Sequence, residues 1–101
     1  MAKRSIEWSS NAKIELFRIL DFYYKRNGNK KYSIKVNRNI QATVIQLKSF
    51  PRLGIKTSEE NIRVIFEGDF SIFYEPSEKQ ITIHSIWVNQ RDPKQSRYKL
   101  L

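Results

Sequence analysis

The sequence predicts an α+β fold: an N-terminal strand, then an antiparallel helical hairpin packed on a twisted antiparallel sheet with a three-stranded C-terminal meander. Three observations predict it. Apolar residues recur at three- and four-residue spacing over two consecutive segments, Ala12 to Tyr24 and Val36 to Leu47. Only a short break at Asn27-Gly28 separates them, which suits antiparallel neighbours. Beyond Pro51 the apolar period changes to two, interrupted by turn residues at Gly68-Asp69 and Pro76-Ser77-Glu78-Lys79.

Each element has its own signal. Lys3 to Trp8 alternates, with Ile6 and Trp8 on one side, and predicts a short first strand. Ser9 or Ser10 can accept hydrogen bonds from free amides at a helix start. Ala12, Leu16, Ile19, Leu20 and Tyr23 form the stripe of the first helix, with Ile14, Phe17 and Tyr24 widening it. Asn27-Gly28 tolerates a left-handed backbone and stops this helix. A second helix is expected from about Asn29 to Lys31, carrying Val36, Ile40, Val44 and Leu47, and ending at Phe50-Pro51 because proline disfavours helical geometry in the residue before it. Three strands follow: Ile62 to Glu67, Phe70 to Glu75, and Gln80 to Val88. Pro51 to Glu60 reads as a loop. Residues 89–101 are polar and basic and read as a partly ordered tail on a single domain spanning 1–101.

Composition narrows the chemistry. The 101 residues carry 19 Lys and Arg against 10 Asp and Glu, a formal net charge of +9. No cysteine and one histidine exclude disulfides, thiolate nucleophiles and the usual zinc ligand sets, so no metal or cofactor is expected. The chain has no apolar run of membrane-spanning length and no signal-peptide core after Met1, so a cytoplasmic protein without membrane association is expected. The charge is local. Residues 1–50 hold 11 basic and 3 acidic side chains, while residues 51–101 hold 8 and 7. Nine basic residues and no acidic one lie between Asp21 and Glu59, which favours a polyanionic partner.

Single residues then carry the candidate chemistry. Arg63 is expected on the open sheet face, where it either holds a phosphate or partner carboxylate or pairs with Glu75 or Glu67. Arg52 and Lys56 lie in the Pro51–Glu60 loop, as target-binding cations or as solvated charges. Arg91 binds phosphate or pairs with Asp92. His84, mid-strand, is a structural hydrogen-bonding residue or a general base. Phe17, Phe22, Tyr23, Tyr24, Phe66, Phe70, Phe73 and Trp87 are expected mostly in the core, whereas Tyr32, Trp8 and Tyr98 are free to stack on a base or fill a partner pocket, with core or rim packing the favoured role of Trp8. Lys31, Lys35 and Arg38 share one helix face and form either a solvated face or, with no acid nearby, a docking patch.

The order of elements and several strings resemble the RelE/ParE superfamily of bacterial toxins. The strings are Trp8-Ser9-Ser10-Asn11-Ala12, Ile19-Leu20-Asp21-Phe22-Tyr23-Tyr24, Asn61-Ile62-Arg63-Val64, Gly68-Asp69-Phe70 with Ile72-Phe73-Tyr74-Glu75, and Ile86-Trp87 with Gln90-Arg91-Asp92-Pro93. The resemblance implies the toxin half of a type II toxin–antitoxin pair, neutralised by a cognate antitoxin whose acidic segment wraps it. RelE-like members cleave mRNA in the ribosome, which needs a base, cations for the phosphorane and an acid for the leaving oxygen. Arg63, Arg91 and His84 would supply that set, with Lys56, Arg52 and Tyr98 holding RNA or another target. ParE-like members lack it and poison DNA gyrase through protein contacts. The ribonuclease branch often has a basic residue where this chain has Ser71, so the resemblance leans towards ParE-like action, with Lys31, Lys35 and Arg38 contacting the antitoxin.

Overall fold

Ser9 turns the chain from its first strand into its first helix. In the computed structural model, which describes residues 4–89, β1 (Ser5–Trp8) ends just before it and α1 (Ser10–Asn27) starts just after. Ser9 Oγ accepts from the Ala12 amide at 3.0 Å and donates to the His84 carbonyl at 3.1 Å, so one side chain caps the helix and ties it to the last strand. Gly28, at φ 71°, ends α1 in the left-handed conformation, and its amide returns to the Tyr24 carbonyl at 3.0 Å.

The second helix, α2 (Lys31–Gln46), follows at once, its first amide held by Asn29 Oδ1 at 3.0 Å. It stops short of Phe50-Pro51. The apolar period continues through fully buried Leu47, but the backbone tightens: Leu47, Lys48 and Ser49 each bond the carbonyl three residues earlier. Side-chain spacing therefore overruns the helix end.

Five strands form one sheet in the order β1-β5-β4-β3-β2, with β2 (Ile55–Lys56), β3 (Arg63–Glu67), β4 (Phe70–Pro76) and β5 (Gln80–Val88). The meander β3-β4-β5 is antiparallel as predicted, but β1 runs parallel to β5, with Ser5 opposite Gln80 and Trp8 opposite Ile83, so the sheet is mixed. The helical hairpin carries the chain back to a parallel start, and strand alternation alone says nothing about direction. The short β2 lies inside the expected loop; two residues are too few to show a period.

The hairpin covers one sheet face. Ala12, Val36, Ile40, Val44 and Leu47 meet Ile72, Tyr74, Ile81, Ile83 and Ile86, all nearly inaccessible. Each such aliphatic side chain contributes roughly 1.5–3 kcal/mol on burial. On the other face Val64 and Phe73 form a small cluster with Ile62 and Trp87.

β1 covers only the first half of β5. Beyond Ile83 the edge is closed by a side chain: Glu15 Oε1, from α1, accepts from the Ile86 amide at 3.1 Å, Ser85 Oγ at 2.8 Å and Asn11 Nδ2 at 3.1 Å. Trp87 Nε1 donates to Ser85 Oγ at 2.8 Å, extending the chain of bonds. Glu15→Ala should cost about 1–3 kcal/mol, because the hydroxyl and amide lose a charged acceptor. Urea denaturation checks this, and a loss under about 0.5 kcal/mol would mean that water replaces the carboxylate.

Candidate functional site

The segment Pro51–Thr57 is fixed by a buried phenol. Tyr74, fully inaccessible on β4, donates its hydroxyl to the Pro51 carbonyl at 2.9 Å and accepts from the Gly54 amide at 2.8 Å. Burial pushes its pKa up, against the opposing pull of the Gly54 amide and Arg63. Arg63 Nη1 donates to the Gly54 carbonyl at 2.8 Å, so both polar groups of Gly54 are held by side chains. Thr57 Oγ1 then closes the loop on the Ile62 carbonyl at 2.9 Å.

This frame places the cations. Lys56 and Arg63 stand directly opposite one another in the β2–β3 ladder. With Arg4 and Arg52 they line a cleft of about 680 Å³, whose acidic members are Glu59, Glu60 and Glu78. Among the described residues no carboxylate lies within ion-pair distance of Arg52, Lys56 or Arg63. Like charges facing across a ladder repel, so an anion in this cleft would be stabilised.

Two expectations are corrected. Arg63 is not on the open face and does not pair with Glu75 or Glu67. It is opposite Tyr74 and alternates with Val64, which places it on the helix side of the sheet, bonded to Gly54. The period of two separates Arg63 from Val64 but does not say which side the hairpin covers, since Val64 has its own small cluster. His84 also breaks strict alternation. The β4–β5 register jumps between Phe73, opposite Ser85, and Tyr74, opposite Ile83, leaving His84 as the extra residue of a bulge. Its Nε2 lies 2.9 Å from Glu75 Oε1. Glu75 alternates with Tyr74, so this pair is on the face opposite Arg63. The fold does not bring Arg63 and His84 together.

Ser71 is buried and donates to Asn89 Oδ1. Arg91 and Tyr98, together with the tail beyond Asn89, lie outside the described residues. Among the described residues no three His, Cys, Asp or Glu side chains converge as a metal site, and no helix is long and apolar enough to cross a membrane.

A second candidate surface is the outer side of the hairpin. Lys31, Lys35 and Arg38 are exposed along α2, beside Ile34 and Ile45, which are more than half exposed. On α1, Phe17 is 68% exposed, Phe22 56% and Tyr24 43%, and on β3 Phe66 is 47% exposed. These four aromatics were expected in the core. The stripe facing the sheet is already filled by Ala12, Ile19 and Tyr23, so Phe17 and Tyr24, displaced around the helix, are left outside. Tyr32, expected to be free, meets Tyr23 edge-on with ring centroids 4.8 Å apart. Residue types did not mark Gly54 and Tyr74 as positioning groups. The available signal was a glycine between the apolar residues Leu53 and Ile55, where a close approach of the backbone is needed.

Residues 6–93 match the family described as ParE toxin of type II toxin-antitoxin system, parDE. The fold is similar to a solved structure titled "Chromosomal ParDE TA system from P. aeruginosa", with a TM-score of 0.74 and 22% sequence identity over 85% of this chain and 96% of that one. No curated protein matches. The family match spans both helices and every strand except the first residue of β1, and the chain belongs to the ParE toxin family of type II toxin–antitoxin systems.

Proposed function

We propose that this toxin arrests growth by binding DNA gyrase in the cytoplasm, and that a cognate acidic antitoxin neutralises it by covering the helical hairpin. The observation that carries the choice of target is the separation of Arg63 from His84. Cleavage of RNA needs a base and a cation on one phosphate. Here Arg63 is spent on the Gly54 carbonyl, and His84 faces Glu75 on the other side of the sheet. Arg52 and Lys56, exposed at the cleft, are then contacts for the target protein. Family membership supports the antitoxin, and the exposed Lys31, Lys35 and Arg38 beside Ile34 and Ile45 suit an acidic, amphipathic segment.

The facing cations Lys56 and Arg63 favour a second reading, RelE-like cleavage of ribosome-bound mRNA, and one pair of assays separates the two. Purified toxin should inhibit gyrase supercoiling or trap cleaved DNA while leaving mRNA intact on programmed ribosomes. Unaffected gyrase together with cut mRNA, abolished by Arg63→Ala, would reverse the assignment.

A further inference from the structure

The segment from Phe50 to Lys56 holds exposed apolar side chains on a fixed backbone. Phe50, Leu53 and Ile55 are each more than half exposed, although all three are residues of core type. The Leu53 amide bonds the Phe50 carbonyl at 3.1 Å, and Tyr74 holds the Pro51 carbonyl and the Gly54 amide. Arg63 holds the Gly54 carbonyl, and Ile55 and Lys56 are fixed in the β2–β3 ladder. Tyr74 is fully buried and Gly54 has no room for a Cβ, so the core is shaped around this loop. A loop held in one conformation has little ordering cost left to meet on association. Exposed apolar residues gathered beside charge are the usual mark of a partner surface.

The charge is cationic and unpaired. Arg52 and Lys56 are exposed, and among the described residues neither has an ion-pair partner. Lys56 shares a sheet face with Arg63, whereas Ile55 stands opposite Val64 on the other face, which also carries the half-exposed Phe66. The sheet edge at β2 therefore presents charge to one side and apolar surface to the other. This combination suits a protein segment that carries both carboxylates and apolar side chains. It does not suit a nucleic acid. Glu59, Glu60 and Glu78 line the same cleft and would repel a continuous run of phosphates, and Leu53 and Ile55 offer nothing to a sugar–phosphate backbone.

We propose that residues 50–56 form the docking loop with which the toxin grips its target protein. An acidic segment of that protein buries apolar side chains against Phe50, Leu53 and Ile55 and places carboxylates on Arg52 and Lys56. The apolar anchors supply most of the affinity, and the cations set association rate and orientation. This rests on the gyrase reading above and goes further by naming the loop, its anchors and the chemistry of the segment it takes. The loop follows the C-terminal end of α2, whereas Lys31, Lys35 and Arg38 lie in the N-terminal half of that helix, so target and antitoxin contacts can be changed independently.

The probe is purified gyrase with relaxed plasmid, into which the full-length toxin is titrated. Phe50→Ser with Leu53→Ser should raise the toxin concentration needed for half-inhibition of supercoiling by about tenfold or more. Arg52→Glu with Lys56→Glu should do the same at low salt, by slowing association, and the loss should shrink as ionic strength rises. All four side chains are exposed, so the melting temperature and the affinity for the cognate antitoxin should hold. Where a pair lowers the melting temperature by more than about 3 °C, Arg52→Ala alone decides, with inhibition weakened by about threefold or more. Full inhibition by the apolar pair overturns the loop and leaves the gyrase reading standing. If the charge pair loses affinity for duplex DNA alone while the apolar pair inhibits as the parent does, the cleft is a nucleic-acid contact and the proposal falls. Lost antitoxin affinity in either pair assigns the loop to the antitoxin instead. A parent toxin that leaves gyrase untouched overturns both readings.

Discussion

Gly54→Ala should be the most destabilising single-methyl change in this chain. A Cβ at position 54 would lie 2.6 Å from the Val64 carbonyl oxygen, 2.7 Å from Tyr74 Cε1 and 2.8 Å from Tyr74 Oη. None of these can yield cheaply. Val64 is held in the β3 ladder between β2 and β4, and Tyr74 is fully buried with its hydroxyl bonded on both sides. Overpacking costs about 1–3 kcal/mol or more, and moving the loop away also forfeits the Gly54 bonds to Tyr74 and Arg63, each worth about 1 kcal/mol. A total of about 3–5 kcal/mol corresponds to a fall in melting temperature of roughly 15–30 °C for a domain of this size. Calorimetry checks it, with Tyr74→Phe as the control. That change removes the hydroxyl but adds no atom, so it should cost less. A Gly54→Ala protein melting within about 3 °C of the parent would mean that the Pro51–Thr57 segment is not clamped as described.

The same clamp explains what was legible in the sequence. Periodicity located both helices and the three long strands because each buries a continuous stripe or face, and burial writes its period directly into residue order. It failed where structure is set by contacts distant in the chain. The parallel pairing of β1 with β5 joins residues more than seventy positions apart, and the bulge at His84 is a property of two strands together. β2 exists because Val64 and Arg63 offer it a ladder, while its own two residues carry no pattern.

The candidate site was less legible for a related reason. Residue type identified Arg52, Lys56 and Arg63 as cations, and the fold does gather them around one cleft. What residue type could not supply was sidedness. Arg63 and His84 were candidates for a common phosphate site, yet alternation and one inserted residue put them on opposite faces. Aromatic residues misled in the opposite direction. Phe17 and Phe66 look like core by composition, but both are left exposed, one on α1 and one on β3.

The second large effect is expected on the outer face of α2. Lys31, Lys35 and Arg38 follow one another at four- and three-residue spacing on α2, all exposed, and among the described residues without an ion-pair partner. Three like charges on one helix face of a chain with net charge +9 repel, so they persist at a cost to the free toxin. An acidic segment would relieve that repulsion and gain attraction together. Replacing all three by Glu should therefore weaken the antitoxin complex by about 3–4 kcal/mol, a factor of roughly 10² to 10³ in Kd. Isothermal titration at low salt measures this, and the loss should shrink as ionic strength rises and the Debye length shortens. Thermal stability of the free toxin should hold or rise slightly, since no hydrogen bond of the described residues uses these side chains. In cells the variant should still arrest growth but escape neutralisation. Wild-type affinity in the triple variant would place the antitoxin away from α2, and loss of toxicity would make the same face a contact for the target instead.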